Sequence, residues 1–225
     1  MKLSLVVPCY NEAESVKLFQ QAVIGAFEGC GYDYEIVFVN DGSRDRTWEI
    51  ICDLAKKDEH FIGIAQSRNR GHQNALLAGL MEAKEHCDAA ISVDADLQDD
   101  IDAIDKMVEK FGEGCEIVYG IRNNRSSDSF MKRFTAEGYY RLMEFFGTHI
   151  IFNHADYRLL SKRALEALSE FDETNLFLRG MVPMLGFKTG SVYYERRERF
   201  AGESKYSLGK MLDLAWNGIT SFSVK

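Results

Sequence analysis

The 225-residue chain lacks any uninterrupted apolar stretch of about 18 residues, so no segment reads as a membrane-spanning helix. Its apolar opening, Leu3 to Val7, breaks at Pro8 and is too short for a secretory signal. The five cysteines (Cys9, Cys30, Cys52, Cys87 and Cys115) are odd in number and form no C-x-x-C. That excludes a disulfide framework and predicts reduced thiols in apolar segments, as in the cytosol. His72 has no second His or Cys at metal-ligand spacing and reads as structural. Repeats, low-complexity tracts and Pro-, Gly- or Ser-rich linkers are absent. Positive charge is scarce in the first half: residues 1–115 hold 11 Lys and Arg against 22 Asp and Glu. Such a surface does not bind nucleic acid, which needs a broad basic face. Residues 116–225 reverse the balance, with 16 basic against 13 acidic in a chain of net charge −8. This half can meet phosphates or an anionic membrane surface.

What is present begins with alternation. Apolar runs at 3–8, 34–39, 61–66, 89–93 and 116–121 read as strands, separated by helix-compatible stretches at 12–28, 45–57, 71–86 and 99–111. This predicts an α/β fold of successive βαβ units, a mostly parallel sheet with helices on both faces. Asn11, and Ser43 with Asp45, mark helix starts; Gly29, Gly31, Gly112 and Gly114 mark helix ends. After Gly120 the pattern changes. Residues 129–146 form an aromatic-rich amphipathic helix carrying Lys132, Arg133 and Arg141, read as packing on the sheet or lying at a membrane interface. Residues 161–170 and 174–185 read as helices and 187–199 as a strand. A last amphipathic helix from Leu208 stops in mid-pattern at Lys225, which predicts that the natural chain continues.

Asp94-Ala95-Asp96-Leu97-Gln98 follows the apolar run 89–93 and so leaves the carboxyl end of a strand, where open α/β sheets bind ligands. Two carboxylates and an amide at this spacing suit a hard divalent cation, Mg²⁺ or Mn²⁺, bridging substrate phosphates. Glu12 and Asp41 emerge at neighbouring strand ends. Each has a bland reading: Asn11 as a helix cap beside Glu12, and a tight turn at Asp41-Gly42. Three acidic groups at one sheet edge weigh more than one. Arg68-Asn69-Arg70-Gly71 feeds a helix start and reads equally as a phosphate turn or a solvated loop. Four cations lie among Arg196-Arg197-Glu198-Arg199-Phe200-Ala201-Gly202-Glu203-Ser204-Lys205-Tyr206, a segment suited to fold over a departing diphosphate.

In this order, Val6-Val7-Pro8-Cys9-Tyr10-Asn11-Glu12, Asn40-Asp41-Gly42-Ser43-x-Asp45-x-Thr47, Asp94-x-Asp96-x-Gln98 and Arg196-x-x-Arg199-x-x-Gly202-x-Ser204-Lys205-Tyr206 resemble the family-2 glycosyltransferases of GT-A fold. Asp156-Tyr157-Arg158 and Gly202-x-Ser204-Lys205-Tyr206 resemble the polyprenyl-phosphate branch, which includes dolichol-phosphate mannosyltransferase and the bactoprenol glucosyltransferases. The resemblance covers essentially the whole chain. It implies that residues 1–121 form the nucleotide-sugar half and 122–225 the acceptor and membrane-facing part of one catalytic domain. Pro8, Tyr10, Glu12, Val39 and Asp41 would hold the nucleoside of a UDP-sugar or GDP-sugar, UDP being favoured, with Arg68 beside base or phosphate. Asp94 and Ala95 would meet ribose and sugar, while Asp96 and Gln98, with Asp94, would hold the metal. Arg122, Arg199 and Lys205 would meet the donor and acceptor phosphates. Asp96, Asp156, Arg199 and Lys205 would carry catalysis.

The resemblance further implies an inverting enzyme at the cytoplasmic face of the membrane, whose absent membrane helices could form a homo-oligomer. Inverting enzymes use an Asp such as Asp156 to deprotonate a hydroxyl. A phosphate monoester, with second pKa about 6, arrives already ionised. Asp156 is therefore expected to position the acceptor, held by Arg158. The alternative is a soluble family-2 enzyme acting on a saccharide or protein hydroxyl.

Overall fold

Leu3, Leu5 and Val7 alternate with Val6 along the first strand, yet both sets are buried, as in a sheet covered on both faces. The structure, a computed structural model, describes residues 1–123, 154–172 and 176–196. The predicted helices at 129–146 and from Leu208, together with Arg199 and Lys205, lie outside the described residues.

Five strands and four helices alternate through the first half. They are β1 (Lys2–Cys9), α1 (Ala13–Phe27), β2 (Asp33–Asn40), α2 (Thr47–Lys57), β3 (Phe61–Ala65), α3 (His72–Lys84), β4 (Ala89–Ser92), α4 (Ala103–Gly112) and β5 (Ile117–Arg122). Then follow β6 (His154–Ser161), α5 (Lys162–Ser169), α6 (Leu178–Met184) and β7 (Thr189–Tyr194). One seven-stranded sheet has the order β3-β2-β1-β4-β6-β5-β7. All neighbours are parallel except β6, which runs antiparallel to both β4 and β5. Chain order reverses between β1 and β4, which opens a crevice beyond their carboxyl ends.

The two faces have separate cores. Val16, Phe19 and Val23 of α1, Ile51 of α2 and Met107 of α4 pack with Leu5 and Phe38 on one face. On the other, Ala75, Leu76 and Leu80 of α3, Leu165 of α5 and Met181 of α6 pack with Val6, Val37 and Val39. The close approach of α3 needs Gly79, where a Cβ would stand 2.4 Å from Val6 Cγ1 and 2.7 Å from Val39 Cγ2.

Several sequence expectations change. Asn11 does not cap α1; it sits at φ 53° and its Oδ1 accepts from Arg44 N at 2.8 Å. The fourth helix starts at Ala103 rather than 99, because Leu97 (φ 56°) and the turn after it interrupt the chain there. Gly112 is the last residue of α4, and the left-handed turn falls on Gly114 (φ 85°). The strand expected at 187–199 is described as Thr189–Tyr194. The largest difference is β6, which the sequence did not reveal as a strand. Its Asp156 and Arg158 interrupt the apolar pattern, although both are buried.

Candidate active site

The loops beyond β1 and β2 are tied side by side. Asn11 N donates to Ser43 Oγ (3.0 Å), Glu12 N to Thr47 Oγ1 (2.9 Å), and Asn40 Oδ1 accepts from Ser43 N (3.1 Å). Ser15 Oγ donates to the Glu12 carboxylate at 2.7 Å. The buried Asp41 accepts from Arg70 N (2.6 Å) and Gly71 N (3.0 Å), fixing the basic turn above it. Gly42 (φ 65°) meets that turn so closely that a Cβ would lie 2.5 Å from Arg68 C and Asn69 N. Pro8 and Tyr10 are partly buried, whereas Arg68 is exposed. Val39, expected near the nucleoside, is fully buried in the core beneath, so it supports these loops from below.

Beyond β4, Ala95 is buried and its neighbours Asp94 and Asp96 are partly exposed. Asp96 Oδ1 accepts from Gln98 N (3.1 Å), closing a turn around the left-handed Leu97; Arg196 donates to Gln98 Oε1. A non-glycine residue held at positive φ is a marker of functional turns. Asp94 keeps 43% of its side chain open. Even so, surrounding protein atoms push its pKa up to about 6, with the charges of Asp99, Asp96 and Asp156 adding to this against the pull of His72. Arg122, at the end of β5, donates to Asp99 Oδ1 and Tyr194 Oη, each at 3.1 Å, and Tyr194 Oη donates to the same Asp99 oxygen.

Asp156 sits across the crevice. Arg158 donates to its Oδ1 at 2.5 Å, and Arg179 grips both oxygens, Nε to Oδ1 at 3.1 Å and an Nη to Oδ2 at 3.0 Å. Gln73 Nε2 donates to Oδ2 at 3.4 Å. His72 Nε2 lies 3.6 Å from Asp156 Oδ2 and 3.9 Å from Asp94 Oδ1, bridging the two sides. Burial alone would raise the Asp156 pKa; Arg179, His72 and Arg158 together hold it well below the usual carboxylate range. His72 is pushed the other way: its two carboxylate neighbours raise its pKa despite burial.

The structure thus brings Asp94, Asp96, Gln98 and Asp156 to one crevice, with Glu12 and Asp41 at the adjoining strand ends. Gln73 and Arg179 escaped the sequence reading, and His72 was read as structural. The one available signal was a lone cation, Arg179, in the otherwise apolar segment Leu178–Met184.

Residues 4–169 match the model described as Glycosyl transferase family 2. The chain belongs to that family. This glycosyltransferase is 51% identical over 99% of its length to the uncharacterized glycosyltransferase YkoT of Bacillus subtilis (strain 168), covering 68% of that protein. It is 42% identical over 99% of its length to the prophage bactoprenol glucosyl transferase homolog of Escherichia coli (strain K12), covering 72% of it. Its GT-A-like fold is shared with glucosyl-3-phosphoglycerate synthase from Mycobacterium tuberculosis, solved in complex with Mn²⁺, UDP and phosphoglyceric acid. That match has TM-score 0.63 at 17% identity and covers all of this chain and 79% of the other.

Proposed function

We infer that this family 2 glycosyltransferase moves a sugar, with inversion, from a UDP-sugar to a polyprenyl phosphate at the cytoplasmic membrane face. The observation that carries this reading is the clamped Asp156. A general base works best with a pKa near the operating pH. Two guanidiniums hold this carboxylate ionised far below that range, so it is poorly suited to take a proton from a hydroxyl. A phosphate monoester needs no such base, because its second pKa is about 6. Relatives named bactoprenol glucosyl transferase, 42–43% identical, support the same acceptor.

In this reading residues 1–121 hold the donor and 122–225 receive the acceptor. The 10–12 and 40–47 loops, with Pro8, Tyr10, Glu12 and Asp41, frame the nucleoside; Arg68 stands by the phosphates. The donor set at Asp94, Asp96 and Gln98 fits Mg²⁺ or Mn²⁺. Among the described residues no three His, Cys, Asp or Glu side chains are grouped to hold a metal alone. Such cations commonly use one or two carboxylates and complete their shell with water and substrate phosphate. The crowded carboxylates that raise Asp94 supply the charge. When bound, the metal would offset charge on the departing diphosphate. Arg122, Arg199 and Lys205 share that task, while Asp156 keeps the acceptor side in place.

The test is product formation from UDP-sugars with undecaprenyl phosphate or free saccharides as acceptor. Glycosylated phosphopolyprenol is expected, with Asp156→Asn retaining more than about a tenth of kcat and an unshifted pH profile. Transfer to saccharides alone, or near-total loss with a shifted profile in Asp156→Asn, would overturn the reading.

A further inference from the structure

Two guanidiniums converge on Asp156, and they are not equivalent. Arg158 is 1% exposed and also donates to the Leu178 carbonyl at 3.2 Å, so it is sealed inside the fold. The Arg179 side chain is 34% exposed and lies on the open side of the same carboxylate. The backbone that presents it is pinned on both sides of the preceding residue. Leu178 N donates to Gln73 Oε1 at 3.1 Å, and the Leu178 carbonyl accepts from Arg158. Both Gln73 and Arg158 also bond Asp156. One carboxylate therefore fixes the Arg179 guanidinium and, through two other residues, the start of the helix that carries it.

This is a costly way to neutralise a buried carboxylate that Arg158 already pairs. It is an effective way to hold a planar, permanently charged fork at the edge of a crevice. An arriving phosphate oxygen would find N–H donors already oriented, with little side-chain freedom left to lose. Beyond His72, which stands 3.6 Å from Asp156 and 3.9 Å from Asp94, the Asp94 carboxylate repels an anion and so favours its approach on the Arg179 side.

We propose that Arg179 receives the phosphate of the lipid acceptor, and that Asp156 acts on the acceptor by holding the Arg179 guanidinium in place. Arg179 is then a specificity-determining residue, selecting anionic over neutral acceptors. This rests on the polyprenyl-phosphate reading above. The experiment titrates the whole chain with farnesyl phosphate and, separately, with farnesol, followed by calorimetry; Mn²⁺ with UDP serves as the donor-side control. Wild type should prefer the phosphate. Arg179→Ala and Arg179→Gln should each weaken farnesyl phosphate binding about tenfold or more, leave farnesol and UDP within about twofold, and Arg179→Lys should recover part of the loss. Farnesyl phosphate binding as tight as wild type in Arg179→Gln would overturn the assignment. So would UDP weakening by the same factor, which marks a merely structural role. Wild type indifferent to the phosphate would instead bring down the acceptor reading on which the proposal stands.

Discussion

Asp94 shows what its proposed metal-binding role costs a single residue. Its carboxyl is raised to about 6 from an ordinary 3.8. A carboxyl raised in the native state makes that state bind more protons than the unfolded chain between about pH 4 and 6. Stability therefore falls as pH rises through that window and stays lower above it. With 43% of the side chain open, solvent screening reduces the effect to about 1 kcal/mol. Asp94→Asn, which cannot ionise, is expected to melt about 2–4 °C higher than wild type at pH 7 in EDTA. The advantage should vanish below about pH 4. The same variant should lose metal-dependent UDP binding. Thermal unfolding across pH checks the first part and calorimetry the second; a lower melting temperature at pH 7 would refute the argument.

Elements differ in how clearly the sequence announces them. The first five strands and four helices were legible because apolar spacing switches between periods of 2 and 3.6, and because both faces of the sheet are buried. Strand β6 was not legible, since Asp156 and Arg158 occupy positions that burial normally reserves for apolar residues. They are tolerated because each is the other's partner, a fact of pairing that spacing does not encode. Arg179 and Gln73 were hidden for a related reason: they meet Asp156 from 23 and 83 residues away. The turn at Asp96-Leu97-Gln98 was legible because it follows directly on the apolar run of β4. Close packing is equally invisible in sequence, and α3 tests it. Gly79→Ala would gain about 1 kcal/mol of helix propensity. The added methyl would also press on Val6 and Val39 at 2.4 and 2.7 Å, which typically costs about 1–3 kcal/mol. Both contacts are branched side chains of buried strands, so packing should win, with net destabilisation of about 1 kcal/mol in a urea titration. Because His72 and Gln73 begin that helix, acceptor binding should weaken as well. A stabilised variant would mean that α3 lifts from the sheet without cost.

Across the whole molecule the charge is polarised along the chain. The acidic first half supplies Glu12, Asp41, Asp94 and Asp96, and the basic second half supplies Arg122, Arg158 and Arg179, with Asp156 held between the last two. The proposed donor and the proposed acceptor both carry phosphate charge and would repel each other in a uniformly charged cleft. Separating the two signs lets each ligand approach its own wall. The same polarity bears on the membrane. The proposed acceptor, a polyprenyl phosphate, would stay in its leaflet, so on that proposal the enzyme comes to it. Among the described residues no helix is long and apolar enough to cross the bilayer. Attraction of the basic half to anionic lipid can supply about 1 kcal/mol per Lys or Arg near the surface. Such attraction is screened over about 10 Å at 0.1 M salt and about 3 Å at 1 M. The protein should therefore co-sediment with vesicles containing phosphatidylglycerol, bind phosphatidylcholine vesicles far less, and leave both at about 1 M salt. Equal binding to the two vesicle types, unmoved by salt, would mean that an apolar face and not charge brings this transferase to its substrate.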